Sequence, residues 1–349
     1  MTRRTSTTLR AFGRLLAPGV ALCFSSCGGI QNAINPAGPH AENLSRLWWS
    51  FFIVCSIVFV LVMIAVLLSL RNRTSDSSEL ATPALEPPPE EERRRRNVVI
   101  SAVTLSGIIL FVLMIISFSA GRSLTADLPH KDGLNVDVIG HQWWWEVRYR
   151  DVDASNFFTT ANEIHIPVGV PVLFNLQATD VIHSFWVPNL AGKKDLIPGK
   201  INNIWLQADK PGVYRGQCAE YCGMQHAKMA LWVVAEPQEQ FNAWRQSQTQ
   251  TSMPPTTDSQ KRGQQVFLST TCVMCHAING TPAGSNIGPN LTHIASRNTI
   301  GAATLANTRE HMEQWIKDSQ SVKPGNRMPQ NNFSEADLQA LLDYLQSLK

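Results

Sequence analysis

The stretch that decides the fold is Cys218-Ala-Glu220-Tyr-Cys222-Gly-Met-Gln-His226-Ala-Lys-Met229. It places two thiols, an imidazole and a thioether within twelve residues. A thioether is a soft ligand that suits copper and rarely serves zinc, so Met229 indicates a copper site. Upstream, His183 in Ile182-His183-Ser184-Phe185 offers a second imidazole. Together these residues predict a copper centre with sulfur and nitrogen ligands.

Three other uses of these residues remain open. Zinc is normally held by two cysteines and two histidines, here Cys218, Cys222, His183 and His226, but such a site would leave Met229 unexplained. A disulfide between the two cysteines would leave both histidines without a role. A mononuclear blue-copper site needs one cysteine, whereas this stretch has two. Copper is therefore favoured over zinc.

The segments around this stretch predict a β domain over residues 130–240. Alternating apolar and polar residues predict strands at 134–139, 163–167, 170–176 and 204–208, with a closing strand at 229–235. Pro-Gly pairs at 198–199 and 211–212 predict turns. Several short strands with such turns are typical of a sandwich or barrel.

Farther towards the N-terminus, the sequence predicts a transmembrane helical hairpin over residues 40–125. Residues 47–70 and 97–121 carry no charge, and each is long enough to cross a hydrocarbon core of about 30 Å. Arg71, Arg73 and residues 93–96 lie between them, and positive loops stay in the cytoplasm. Both ends of the hairpin should therefore lie outside the cytoplasm.

Residues 1–27 predict the export signal that such a topology requires. Arginines at the start precede a short apolar stretch, and Ser25-Ser26-Cys27 follows at the expected cleavage point. The pattern resembles a bacterial lipoprotein signal, in which Cys27 would be lipidated. Plain cleavage nearby is the alternative.

Beyond a polar segment at 241–257, which predicts a linker, residues 258–349 predict a small α domain. Cys272-Val-Met-Cys275-His276 is the attachment motif for a covalent haem c, with His276 as the proximal iron ligand. A redox dithiol is the alternative, but it would need a βαβ context. Met328, in a loop before Pro329, resembles the distal-ligand loop of class I cytochromes c, whereas Met312 is predicted to be core.

His183 and the motif Cys-x-Glu-x-Cys-x3-His-x2-Met resemble the dinuclear CuA site of cytochrome c oxidase subunit II. The hairpin, the exported β domain and Gly140-His141-Gln142-Trp143-Trp144-Trp145 follow that family in order. The resemblance implies a cupredoxin-like β barrel in which Cys218 and Cys222 bridge two coppers. It also implies a role in electron entry for Trp143. The further ligands it implies are His183, His226, Met229 and the backbone carbonyl of Glu220, whose carboxylate would reach a magnesium ion at the boundary with subunit I.

The fused haem domain resembles that of the caa3-type oxidases. This implies a two-pass subunit of the bacterial inner membrane that passes electrons from haem c to CuA and on to subunit I, where oxygen is reduced to water with proton translocation. Subunits I and III and cytochrome c or another reductant are the implied partners. The net charge of +3 gives no sign of nucleic-acid binding. Alternatives are the CuA-bearing small subunit of a nitric oxide reductase and a copper chaperone, although metal delivery would not need a haem domain.

Overall fold

The computed structural model of the protein describes residues 29–71, 89–126, 133–151 and 153–349. The signal predicted at 1–27 lies outside these residues. The chain divides into two compact units. One is Asn43–Asp127, and the other joins Met1–Glu42 to Leu128–Lys349. The second unit contains both predicted cofactor domains.

Two long apolar helices account for the predicted hairpin. Helix α1 is Pro39–Arg71 and helix α2 is Pro89–Ala126. Each begins with a proline, whose missing N–H costs nothing at the first helical position. The first turn holds one glutamate in α1, Glu42, and three in α2. Both helices are long and apolar enough to cross a membrane, and their large apolar side chains are mostly exposed in the chain by itself. Such helices need lipid or another subunit to cover them.

Two five-stranded sheets form the β domain. The strands are β1 (Asn135–His141), β2 (Trp144–Arg150), β3 (Phe158–Ala161), β4 (Glu163–Pro167), β5 (Val172–Ala178), β6 (His183–Trp186), β7 (Lys194–Leu196), β8 (Asn202–Leu206), β9 (Gly212–Cys218) and β10 (Ala230–Glu236). One sheet has the order β3-β2-β1-β5-β8, and the other has the order β4-β10-β9-β6-β7. Trp145 and Phe174 from the first sheet and Ile164 from the second are wholly buried in the core between them. This arrangement confirms the predicted cupredoxin-like β class.

The first part of the segment 241–257, which the sequence predicts to be a linker, is helical. Helix α3, Gln238–Gln248, extends into it. Phe241 is 2% exposed and packs in the core of the β domain, and Trp244 packs against that core. Because only these two large apolar side chains recur over the helix, the sequence has too little periodicity to reveal it. The irregular part of the segment is therefore shorter than predicted.

The C-terminal domain is a small helical fold, as predicted. Helix α4 (Asp258–Ser269) and helix α8 (Glu335–Ser347) cross closely where Gly263 meets Ala340: a Cβ on Gly263 would lie 2.0 Å from the Ala340 carbonyl oxygen. A capping box at Thr257 and Gln260 starts α4, and the Ser334 side chain caps α8. The helices are α4 (Asp258–Ser269), α5 (Cys272–Cys275), α6 (Arg309–Lys317), α7 (Ser319–Val322) and α8 (Glu335–Ser347), and a short hairpin joins β11 (Thr299–Ile300) to β12 (Leu305–Ala306).

Candidate copper and haem sites

The sheet brings the predicted copper ligands to one end of the β domain. Cys218 is the last residue of β9, Met229 directly precedes β10, and His183 is the first residue of β6. The antiparallel partners β9 and β10 close the loop between them, because the Cys218 N–H donates to the Met229 carbonyl at 2.9 Å. Strand β6 pairs with β9 through Phe185 opposite Cys218, which sets His183 beside the same loop.

The donor atoms converge around the two thiols. Cys222 Sγ lies 3.6 Å from His226 Nδ1 and 3.7 Å from Met229 Sδ. Cys218 Sγ lies 3.9 Å from His183 Nδ1. One ligand atom from each of His183, Cys218 and Cys222 lies within 4.8 Å of the other two. Two imidazoles, two thiols and a thioether thus surround a single small volume.

Glu220 contributes its backbone to this cluster and not its side chain. Its carbonyl oxygen lies 3.2 Å from Cys218 Sγ. Its carboxylate points elsewhere, 45% exposed and 3.3 Å from Lys193 Nζ. The structure therefore places the Glu220 carbonyl where the resemblance implied a ligand.

A buried carboxylate orients His183. Asp180 Oδ1 lies 2.9 Å from His183 Nε2, which leaves Nδ1 to face Cys218. Although burial lowers the pKa of His183, its bonds to Asp180 and Cys218 raise it above the ordinary value. Burial likewise raises the pKa of Asp180, but the His183 contact and two backbone N–H groups outweigh it and hold that pKa at about 2. A carboxylate behind a ligating imidazole is the usual arrangement at metal sites.

The two thiols fit a cationic cofactor. The hydrogen bond from Cys222 lowers the pKa of Cys218 to about 3, against the effect of burial, and the His183 contact lowers it further. The same bond and burial raise the pKa of Cys222 well above its ordinary value. Two thiolates at such short range repel each other unless cations such as metal ions lie between them. The soft donor set suits copper.

Trp143 connects this cluster to the second site. Its indole Nε1 donates to the Cys222 carbonyl at 2.9 Å, and the Gln142 side-chain amide donates to the same oxygen. Trp143 also lines a cavity of about 390 Å³ shared with the C-terminal domain. The other lining residues that bear on the haem are Cys272, Cys275, His276, Arg297, Met312 and Met328.

The histidine of the attachment motif is fixed in this cavity. His276 Nδ1 lies 2.7 Å from the Pro289 carbonyl oxygen, which accepts its proton and leaves Nε2 free to bind iron. Gly288 permits this ring position, because a Cβ there would lie 2.7 Å from His276 Cε1. Burial lowers the pKa of His276, which favours the neutral imidazole that a metal needs.

The loop that carries Met328 is fixed at the backbone. Ser319 Oγ donates to the Met328 carbonyl at 2.8 Å, and the Met328 N–H donates to Asn326 Oδ1 at 2.8 Å. Met312 also lines the cavity but is 4% exposed within α6, in keeping with the predicted core role. Met274 is 66% exposed.

Arg297 is a cavity residue that sequence reasoning missed. It is 8% exposed, burial lowers its pKa to about 10, and its Nε has no hydrogen-bond partner in the described part of the chain. A buried guanidinium with an unused donor suits a ligand that carries carboxylates, as haem does. Its sequence surroundings contain no motif that would have revealed it. Together with the two thiols, His276 and Met328, this residue shows that the cavity fits a covalent haem.

The family comparisons agree with this geometry. Residues 153–236 match the model for the periplasmic domain of cytochrome c oxidase subunit II, and residues 260–349 match the model for cytochrome c. A solved structure of the periplasmic domain of subunit II of cytochrome oxidase from Bradyrhizobium japonicum is 29% identical, with a TM-score of 0.32, over 35% of this chain and 96% of that one.

Full-length relatives extend the match over the membrane segments. Cytochrome c oxidase subunit 2 of Bacillus subtilis is 28% identical over 96% of this chain and 97% of that protein. Cytochrome c oxidase subunit 2 of Alkalihalophilus pseudofirmus is 35% identical over 95% of each chain. An identity of 35% over 95% of both chains shows that this chain belongs to the cytochrome c oxidase subunit II family, with a cytochrome c domain fused behind the copper domain.

Proposed function

We propose that this chain accepts electrons at its cytochrome c domain and delivers them through its copper domain to subunit I. Family membership makes it the electron-accepting subunit of a haem–copper oxidase. The proposal assigns the residues. The observation that carries it is Trp143, which lines the haem cavity and donates to the carbonyl of Cys222. One side chain thus touches both candidate sites.

In the copper domain, we assign Cys218 and Cys222 as the two thiolate ligands that would hold CuA. His183, His226, Met229 and the Glu220 carbonyl complete the set. When bound, the copper pair and the haem supply one-electron chemistry. The chain supplies a rigid frame: strands β9 and β6 fix Cys218 and His183, and Asp180 fixes the His183 ring. Rigid ligands keep the geometry similar in both redox states.

In the haem domain, we assign Cys272 and Cys275 to the thioether bonds, His276 to the proximal position and Met328 to the distal one. The Pro289 carbonyl orients His276, and Ser319 and Asn326 hold the Met328 backbone. A methionine ligand raises the reduction potential of a haem. Trp143 is assigned to electron entry into the copper domain.

The finer assignments extend beyond the cofactors. We propose a magnesium ion bound by the Glu220 carboxylate at the boundary with subunit I; Asp195 shares Lys193 with Glu220, so two carboxylates lie on this side. We also propose a two-pass anchor in a bacterial inner membrane with both cofactor domains outside. A cytochrome c or another reductant would supply the electrons, and subunit III would join the complex.

Metal and haem analysis of the purified full-length chain tests these assignments. We expect two coppers and one covalent haem per chain. Electron paramagnetic resonance of the oxidised copper should show one unpaired electron shared equally by two copper nuclei. A single-nucleus pattern, or a chain loaded with zinc, would contradict the assignment.

A further inference from the structure

Lys323 lies where the haem-ligand loop meets the copper domain. It is 2% exposed. Its Nζ donates to the Trp143 carbonyl at 2.7 Å and to the Gly301 carbonyl at 3.1 Å. It forms no ion pair with a carboxylate in the described residues. Removing an ammonium from water is costly, so such a position is tolerable only while both carbonyls are in place.

One of those carbonyls belongs to the other domain. Trp143 lies in the copper domain, whereas Gly301 and Lys323 lie in the haem domain. Lys323 would therefore lose one of its two hydrogen-bond acceptors, the Trp143 carbonyl, if the two domains separated. Burial, and next the nearby Lys228 ammonium, lower the pKa of Lys323 to about 7.

The copper domain returns two bonds to the same segment. Gln225 Nε2 donates to the Pro324 carbonyl at 2.7 Å, and Lys228 Nζ donates to the Val322 carbonyl. Gln225 and Lys228 flank His226, a proposed copper ligand. Three donors thus join residues 322–324 to the copper-ligand loop and to Trp143. Lys323, Gln225 and Val322 are buried, whereas Lys228 and Pro324 are exposed. A further contact between Arg327 and Asp180 is longer, at 3.9 Å, and its arginine is 66% exposed, so it contributes little.

We propose that Lys323 is a positioning residue for the internal electron transfer, holding the loop that carries Met328 against Trp143 and so fixing the haem site next to the copper site. The inference rests on the proposed function, since it presumes both cofactors. Docked domains do not depend on a tether to meet, whereas undocked domains meet only at the effective concentration that the linker sets.

The experiment uses the assembled oxidase with Lys323→Met, which keeps the apolar stem and removes the charge. Two steps are followed after rapid mixing: reduction of haem c by a small-molecule reductant, and the later reoxidation of haem c as the near-infrared copper band bleaches. We expect the second step to slow about tenfold or more, because the variant leaves the Trp143 and Gly301 carbonyls without their buried donor and frees the segment that Lys323 holds. The first step and the haem spectrum should stay unchanged. Lys317→Met, an exposed lysine of α6, is the matched control.

Each other outcome is decisive. A second step at the wild-type rate overturns the proposal. If both steps slow and the haem spectrum changes, Lys323 serves the fold of the haem domain through Gly301, which also overturns it. If the Lys323→Met protein does not accumulate, Gln225→Leu replaces it, because this change removes a bond to the same segment from the copper side. A slower second step with an intact copper band then supports the proposal. An unchanged rate of the second step overturns it. Wild-type enzyme without any internal transfer would instead refute the proposed function.

Discussion

At the scale of single residues, the carboxylate of Asp180 decides how His183 meets the copper cluster. It accepts from the N–H groups of Gln142 and Val181 as well as facing His183 Nε2. These bonds lower the pKa of Asp180 to about 2, so the carboxylate is ionised at neutral pH. The imidazole is thereby fixed in the tautomer that offers Nδ1 to the metal.

Replacing Asp180 by asparagine should weaken copper binding. The amide can present its NH2 group to His183, which would favour the wrong tautomer. We expect copper affinity to fall about 10- to 100-fold, measured as copper retained during dialysis against a chelator. Asp258→Asn, at an exposed aspartate of α4, is the control. Equal copper retention in the two variants would show that Asp180 does not orient the ligand.

Met229→Leu separates the role of Met229 in packing from its role as a ligand. Met229 is wholly buried and its Sδ lies 3.7 Å from Cys222 Sγ. Leucine fills a similar volume, so stability should fall by less than about 1.5 kcal/mol. Loss of the soft donor should nevertheless alter the near-infrared copper band and lower oxygen uptake. The exposed Met253→Leu should change neither. A wild-type copper band in Met229→Leu would remove Met229 from the ligand set.

At the scale of elements, helix α3 changes where the copper domain ends. Phe241 fills the core and Trp244 stacks on His165, with ring centroids 4.0 Å apart. A polar segment with two well-placed aromatic residues can thus be a structural part of the domain that precedes it.

Phe241→Ala measures that contribution. Truncating a buried phenylalanine leaves a cavity and typically costs about 3–5 kcal/mol. We expect the copper domain of this variant to unfold at a clearly lower temperature than that of the wild type. Loss of the near-infrared copper band on heating measures the unfolding. Gln246→Ala, on an exposed position of the same helix, provides the comparison. Equal unfolding temperatures in the two variants would show that residues 241–248 do not stabilise the copper domain and belong to the linker.

The sequence predicted the parts of the sites that are local in the chain. The thiols of Cys218 and Cys222 and the haem motif at Cys272 lie in short motifs whose spacing carries the chemistry, and the strands follow from alternating burial. Residues such as Lys323 and Arg297 could not be predicted, because their roles depend on contacts with distant residues. Nothing near Lys323 in the sequence indicates that it meets Trp143, 180 positions away.

At the scale of the whole molecule, a second contact joins the two cofactor domains. The Glu163 carboxylate accepts from the Asn298 backbone N–H at 3.1 Å and from its side-chain amide. Glu163 also faces His165 Nε2 at 3.1 Å, while His165 Nδ1 lies 2.8 Å from Glu236. The His165 imidazole, between the carboxylates of Glu163 and Glu236, thus holds Glu163 in place. Glu163 in turn binds Asn298 of the haem domain.

This arrangement predicts a dependence of stability on pH. Burial lowers the pKa of His165, but bonds to Glu163 and Glu236 outweigh it and raise that pKa above its ordinary value of 6.5. A raised pKa in the folded state means that the stabilisation is fully present below about pH 6.5 and is lost as the pH rises through the folded-state value. Burial raises the pKa of Glu163, but its contacts with His165 and Asn298 outweigh burial and lower that pKa. The pH range in which the His165–Glu163 pair stabilises the fold therefore extends into acidic pH, until the carboxylate is protonated.

His165→Gln should remove this dependence. We expect the wild-type protein to melt at a higher temperature than the variant. The difference between the two melting temperatures should be largest in mildly acidic buffer and should narrow steadily towards alkaline pH. His311→Gln, on the surface of α6, should leave the profile as in the wild type. A gap that stays constant or widens as the pH rises would mean that His165 is neutral in the folded protein. The imidazole would then donate to only one of the two carboxylates, and the hydrogen bonds from Asn298 to Glu163 would hold this edge without a charge on His165.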